Sequence, residues 1–218
     1  PIPNARLLIS KNKKLFLIVD EKIASKLIKE KKFQRNQIIN PTRFEELIKK
    51  LRGNKFIIDA SSCSILNEKI IKSNFNVIDD VDPCFKLKSV KNSVEIKNTI
   101  NAHIEDGLAL TRFIYWIKNI NKKKITEIEA KNKLQKFRKL NNNYLFPSFD
   151  TIAGAGSNGA IVHYRASKKS NKIINKNDLF LCDSGGQYNF GTTDVTRTIC
   201  FSKQKKSIKD VFTLVLKG

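Results

Sequence analysis

The sequence predicts an α/β unit followed by an α+β unit, and three observations carry that expectation. The first eighty or so residues alternate short apolar runs with amphipathic stretches, as strands and crossover helices of a mostly parallel sheet do. After the Pro- and Asp-containing break "DDVDPCFKLK" come two helical patterns, one long and one short. Past Asn141-Asn142-Asn143 the pattern changes to a run of strands, and helices followed by antiparallel strands read as α+β. The break sets a boundary near Asp82-Pro83, giving domains 1–82 and 83–218.

In the first domain "KLFLIVD" reads as a buried strand and "EKIASKLIKE" as a helix. A second helix is expected in "NPTRFEELIKKLRG", where Asn40 is an N-cap, Pro41 takes the first helical position and Gly53 follows the end. Then "KFIIDA" is a strand, "SSCSILNEKIIKS" a helix and "FNVIDD" a strand. In the second domain a helix is expected from Ser93 to Ile120, with Asn92 and Glu95 placed for a capping box. Its apolar stripe is Ile96, Ile100, Ile104 and Leu108, continued by Ile114, Ile117 and Ile120. His103, beside that stripe, reads as a packing residue. A further helix starts at Thr126, with Glu129 three residues on, and carries Ile128, Leu134 and Phe137. The expected strands are "SFDTIAG", "AIVHYR", "DLFLCDSGG" and "TTDVTRTICF", and Ser207 with Asp210 opens a last helix.

Composition narrows the function. With 40% hydrophobic and 28% charged residues the chain is globular, not disordered. No apolar run of about 18 residues is present for a membrane span, and the start lacks a secretory signal. Reduced thiols and a cytoplasmic setting are therefore the default. None of the four cysteines, Cys63, Cys84, Cys182 and Cys200, has C-x-x-C spacing, which argues against a zinc knuckle. Cys182 and Cys200 fall in strand-like runs and are expected to be buried. The net charge of +22 raises nucleic-acid binding. The lysines, however, are spread among Asn and Ile with no basic stripe, so no nucleic-acid partner is expected. There is no methionine, and the final apolar helical pattern stops abruptly, so the sequence reads as a piece of a longer protein.

Two motifs remain. "GAGSNG", residues 154–159, matches G-x-G-x-x-G, with Asp183 a little over twenty residues on. A dinucleotide fingerprint needs a helix directly after the last glycine. Here "AIVHYR" follows, so the glycines read as a tight connection between strands. The second motif is "DSGGQYNFGTTDVTRT", residues 183–198, with Asp183 and Asp194 flanking a turn-like segment. A hairpin with a four-residue turn, Gln187 to Phe190, would set Asp183 directly opposite Asp194. Cβ atoms so opposed lie about 4.5–5.5 Å apart. Two such carboxylates are either hairpin acids at a solvated rim or hold a hard divalent cation between them. Asp194, Thr196 and Thr198 share one face, and Val195, Arg197 and Ile199 the other.

The stretches "SFDTIAGAGSNGAIVHYRAS" and "LFLCDSGGQYNFGTTDVTRT" resemble the aminopeptidase P (Xaa-Pro aminopeptidase) group of creatinase-like metallopeptidases, as does "FTLVLKG". The resemblance covers residues 80–218 strongly and the α/β segment more weakly, and the larger three-domain cytosolic subtype fits best. It implies a creatinase-type α/β domain, partial here, followed by an incomplete α+β domain of the pita-bread fold. It also implies an enzyme that removes an N-terminal residue preceding proline, using two divalent ions. Manganese is the usual metal, with zinc or cobalt as options, and the ions hold a bridging hydroxide that attacks the scissile carbonyl. Asp183 matches the family's metal-chelating aspartate and Asp194 its metal-bridging one. His163 matches the histidine that meets substrate near the scissile bond, where it stabilises developing charge or passes a proton. Phe149 matches an aromatic position of the substrate pocket. The implied partner is a peptide with proline second, and family members are often dimers. The family's metal-binding histidine and two glutamates are not in this sequence, so the chain alone is expected to be inactive, with apolar surface left bare. A non-catalytic peptide- or partner-binding module on the same fold is the alternative.

Overall fold

The structure, a computed structural model, describes residues 4–119 and 124–218. It divides into two compact units, 1–90 and 91–218, each with its own buried core.

The first unit begins with β1 (Arg6–Ile9) and β2 (Leu15–Ile18), followed by α1 (Glu21–Lys29), β3 (Ile38–Ile39), α2 (Phe44–Lys50), β4 (Lys55–Ile58), α3 (Ile65–Lys72), β5 (Asn76–Asp79) and α4 (Pro83–Ser89). The pairs β2–β3 and β4–β5 are parallel, as the alternation predicts. The β1–β2 hairpin is antiparallel, an addition the alternation did not announce. Asn40 caps a short 3-10 turn, Pro41–Arg43, by accepting from the Thr42 amide, and α2 follows. Gly53, at φ 143, then reverses the chain. The expected break after Asp82 is instead helical. Asp82 accepts from the Cys84 amide, Pro83 takes the first helical position, and α4 follows. The core joins Ile18 and Ile58 of the strands to Leu47, Ile48 and Ile71 of the helices.

The second unit opens with α5 (Ser93–Lys118) and α6 (Glu127–Arg138), then β6 (Tyr144–Pro147), β7 (Ile152–Ala155), β8 (Leu179–Ser184), β9 (Gly186–Tyr188), β10 (Val195–Cys200) and α7 (Lys206–Lys217). Both expected capping boxes form, Asn92 with Glu95 and Thr126 with Glu129. The strands make an antiparallel sheet in the order β10-β8-β7 and a smaller pair, β6-β9. Leu110 and Phe113 of α5 and Leu134 of α6 meet Ala153, Phe180 and Ile199 of the larger sheet in one core. Residues alternate along β8, so Phe180, Cys182 and Ser184 are buried while Asp183 lies on the other face, half-buried.

Several expectations change here. Ile96, Ile100, Ile104 and Leu108 are exposed by 50%, 54%, 66% and 54%, so this stripe faces away from the core. The buried face is Ala102, Asp106, Ala109, Leu110, Phe113 and Ile117. A strict four-residue spacing advances about 400° per step and drifts around the helix, whereas 102-106-109-113-117 keeps the 3.6-residue period. Ile120 lies outside the described residues. His103 is exposed, its Nδ1 2.9 Å from the Thr99 carbonyl oxygen, and does not pack. Cys200 is exposed, unlike Cys182. Among the described residues no helix is long and apolar enough to cross a membrane.

Candidate metal centre

The hairpin that carries the two aspartates closes more tightly than the sequence suggests. The Tyr188 amide donates to the Gly191 carbonyl at 2.8 Å, leaving a two-residue turn, Asn189–Phe190. Gln187 bridges Thr192, and Val195 and Thr196 pair with Ser184 and Asp183. Asp183 therefore stands opposite Thr196, not Asp194, which corrects the expected register by two residues. A shift of two leaves every side chain on its original face. Asp183 and Asp194 thus share a face as diagonal neighbours. The Thr196 hydroxyl donates to Asp183 Oδ1 at 2.9 Å and fixes that carboxylate's orientation. Continued one step, the register sets Asp194 beside Gly185, where a Cβ would come within 1.9 Å of the Thr193 carbonyl oxygen. Only glycine fits there.

Behind the aspartates lies a polar cluster that the sequence reading missed. Arg138 of α6 forms a bidentate ion pair with Asp106 of α5, at 2.6 and 3.0 Å. Both side chains are almost fully buried. Arg138 Nη2 also donates to Ser184 Oγ at 3.1 Å, and the Tyr188 hydroxyl donates to Asp106 at 2.8 Å. Burial alone would raise the Asp106 carboxyl, but hydrogen bonds from Arg138 and Tyr188, with the Arg138 charge, hold it below its ordinary value. Burial and the Asp106 carboxylate push the Tyr188 phenol well above its usual range. The sequence carried no signal for the pair, because its apolar stripe put the inner face of α5 elsewhere. Asp106 and Arg138 each sit at a core-facing helical position, where a charge demands a buried partner.

The other sequence-predicted residues lie on loops. "AIVHYR" is not a strand: residues Gly156–Ala160 form a 3-10 turn and irregular chain follows. The dinucleotide helix is absent for the same reason. Gly154 and Gly159 approach each other backbone to backbone, a Cβ on Gly154 meeting Gly159 Cα at 2.8 Å, and Gly156 has φ 56. His163 is exposed and has φ 54, a left-handed conformation uncommon outside glycine. Its neighbour Tyr164 is buried, and the Tyr164 hydroxyl donates to Glu127 at 2.8 Å. Glu127 is itself fully buried at the start of α6 and accepts from the amides of Ala155 and Lys172 and from Asn158. That hub ties the glycine turn, the His163 loop and α6 together. Phe149 is half-buried just before β7. Its neighbour Asp150 pairs with Lys131, and with Arg165 at 3.7 Å. Arg165 follows His163 by two residues, so this pair links the two loops.

The donor chemistry at the hairpin suits a hard divalent ion: two carboxylates on one face, one already oriented by a hydroxyl. Among the described residues no group of three or more His, Cys, Asp or Glu converges on a metal-sized site. Two carboxylates by themselves fall short of the four to six ligands such an ion takes.

Residues 97–218 match the model of metallopeptidase family M24. The chain belongs to that family. This M24 chain is 41% identical over 169 residues to an Xaa-Pro aminopeptidase of Drosophila melanogaster, covering 77% of the chain and 27% of the relative. It is 39% identical over 180 residues to a probable Xaa-Pro aminopeptidase P of Podospora anserina, covering 81% and 26%. The chain spans about a quarter of the length of these relatives. Among solved structures it superposes on an X-prolyl aminopeptidase of Caenorhabditis elegans with a TM-score of 0.79 and 25% identity, over 95% of this chain and 35% of that one. That protein is described as a cytosolic enzyme with a di-nuclear active site. An Xaa-Pro dipeptidase of Bacillus anthracis shares the fold, with a TM-score of 0.77 and 23% identity, covering 100% of this chain and 60% of that one. These matches bear out the fold class: the M24 chain carries an α/β unit followed by part of the α+β pita-bread domain.

Proposed function

We propose that this M24 chain is the part of an Xaa-Pro aminopeptidase that supplies one wall of a two-metal site. The observation that carries the reading is the hairpin, with Asp183 and Asp194 on one face and Thr196 orienting Asp183. The 41% identity to an Xaa-Pro aminopeptidase and the di-nuclear site named for the structural neighbour support it.

In this reading two divalent ions, manganese with zinc or cobalt as options, would be held by Asp183 as the chelating carboxylate and Asp194 as the bridging one. When bound, the ions supply Lewis acidity at the scissile carbonyl and make a water-derived nucleophile available near neutral pH. His163 stands beside the scissile bond, where its imidazole stabilises developing negative charge or passes a proton. The exposed, left-handed position of His163 leaves its ring free to approach a ligand. Phe149 offers apolar surface to the substrate. The substrate is a peptide with proline at its second position, and the working setting is cytoplasmic. The assembled enzyme is a homodimer. With only two of the carboxylates, the 218-residue chain is inactive alone.

Manganese-dependent release of the first residue from an Xaa-Pro peptide by this chain alone would overturn the inactivity. The metal assignment is tested by titrating the chain with Mn2+ and following water-proton relaxation. Binding should be present, and Asp183→Asn or Asp194→Asn should weaken it roughly tenfold or more. Binding indifferent to both substitutions would sink the assignment.

A further inference from the structure

Each aspartate of the hairpin has a buried hydroxyl next to it in the chain. Ser184 follows Asp183 and Thr193 precedes Asp194, and neither exposes any of its surface. Because side chains alternate across a strand, a residue beside an outward carboxylate points inward, toward α5 and α6. The Asp106–Arg138 pair waits on that inner side. Arg138 donates to Ser184, and Tyr188 at the hairpin's end donates to Asp106. Thr193 Oγ1 accepts the Gly186 amide at 2.9 Å across the hairpin. One buried ion pair thus grips the first arm of the hairpin at Ser184 and Tyr188, and Thr193 ties the second arm to it through the Gly186 amide.

We propose that the buried Asp106–Arg138 pair is a positioning device for the metal-facing carboxylates: by holding Ser184 and Tyr188 of the arm to which Thr193 is tied, it sets where Asp183 and Asp194 stand relative to each other. The inference rests on the metal reading above, and goes beyond it by assigning a role to residues that touch neither metal nor substrate. A bidentate guanidinium–carboxylate pair is suited to the task, since its planar fork fixes direction as well as distance. A buried pair often adds little net stability compared with apolar residues of similar volume. Its retention here is explained by the geometry it imposes on the hairpin.

That contrast supplies the test. In the 218-residue chain, Arg138→Met alone strands a buried carboxylate and should lower both stability and Mn2+ affinity. The double variant Asp106→Leu/Arg138→Met should regain stability, as apolar replacement of buried pairs does. Its Mn2+ affinity, read by water-proton relaxation, should stay roughly 10- to 100-fold below wild type, the usual effect of losing a partner behind a metal ligand. Ser184→Ala, which cuts the grip at the hairpin and leaves the ion pair intact, should weaken Mn2+ binding without global destabilisation. Leu134→Ala, a core change on the same helix, should lower stability and leave the affinity of the folded chain unchanged. Recovery of Mn2+ affinity together with stability in the double variant would show a merely structural pair and overturn the proposal. If the wild-type chain binds no Mn2+ through Asp183, the metal reading fails by itself. Amide exchange then decides the positioning claim: faster exchange over residues 184–196 in the restabilised double variant upholds it, and wild-type exchange there removes it.

Discussion

At the residue scale the decisive groups are small or buried. Gly185 lies against the Thr193 carbonyl and the Ser148 hydroxyl, 1.9 and 2.2 Å from where a Cβ would be. A backbone oxygen in a paired hairpin has nowhere to go, so Gly185→Ala is expected to cost at least about 2 kcal/mol in urea unfolding. It should also weaken Mn2+ binding, because Asp194 stands opposite. Asp106 makes a pH prediction. Its folded pKa lies below the ordinary value, through hydrogen bonds and the charge of Arg138 acting against burial. Its contribution is therefore present above the unfolded pKa of about 3.9 and lost as pH falls through the lower folded value. The urea midpoint of the second unit should hold steady near neutrality and drop below about pH 4. In Asp106→Asn that part of the acid-side drop should disappear. Burial raises the Cys182 thiol to about 11, so it should resist alkylation at pH 8 until the chain is unfolded, whereas exposed Cys200 reacts.

At the scale of elements, α5 has two apolar sides and only one of them meets the core. Phe113 is fully buried, while Ile100 is more than half exposed. Phe113→Ala should cost about 3–5 kcal/mol, whereas Ile100→Lys should change stability by no more than about 0.5 kcal/mol. Equal effects from the two would contradict the assignment of faces. The helix ends were legible from sequence because capping is local: Asn92 with Glu95 and Thr126 with Glu129 lie three residues apart and need no tertiary partner. The inward face of α5 was not legible. Its small Ala102 admits the hairpin tip, with Gly191 so close that a Cβ there would meet Ala102 Cβ at 2.8 Å. Its charged Asp106 is buried only because Arg138 of another helix arrives to pair with it. Ranking positions by apolar size picks the wrong side of such a helix.

At the scale of the whole molecule, the two cores share no residue. Urea unfolding is accordingly expected to show two transitions, one shifted by Ile48→Ala and the other by Phe113→Ala. A single transition moved by both substitutions would show that the units unfold as one. The charge of +22 is carried by lysines spread along the chain, which favours solubility and nonspecific attraction to polyanions over a dedicated nucleic-acid surface. The isoleucines Ile96, Ile100 and Ile104 of α5, expected from their spacing to form its apolar stripe, are exposed, as are Val211, Phe212, Leu214, Val215 and Leu216 of α7.

The sequence by itself determined the local and the chemical: where helices start, which strands alternate, the two carboxylates of the "DSGGQYNFGTTD" motif, and the family to which the chain belongs. It also determined that Asp183 and Asp194 share a face, because that survives any register shift of two. The tertiary structure decided what depends on partners far along the chain. The two-residue turn set Asp183 against Thr196. The chain after the glycine turn became a loop and not a strand, since Glu127 gathers Ala155, Asn158, Tyr164 and Lys172 around one buried carboxylate. The inner face of α5 followed from the pairing of Asp106 with Arg138, 32 residues away. A periodic pattern reports which side of an element is apolar, but the groups that bury a charge become visible only when their partner is in place.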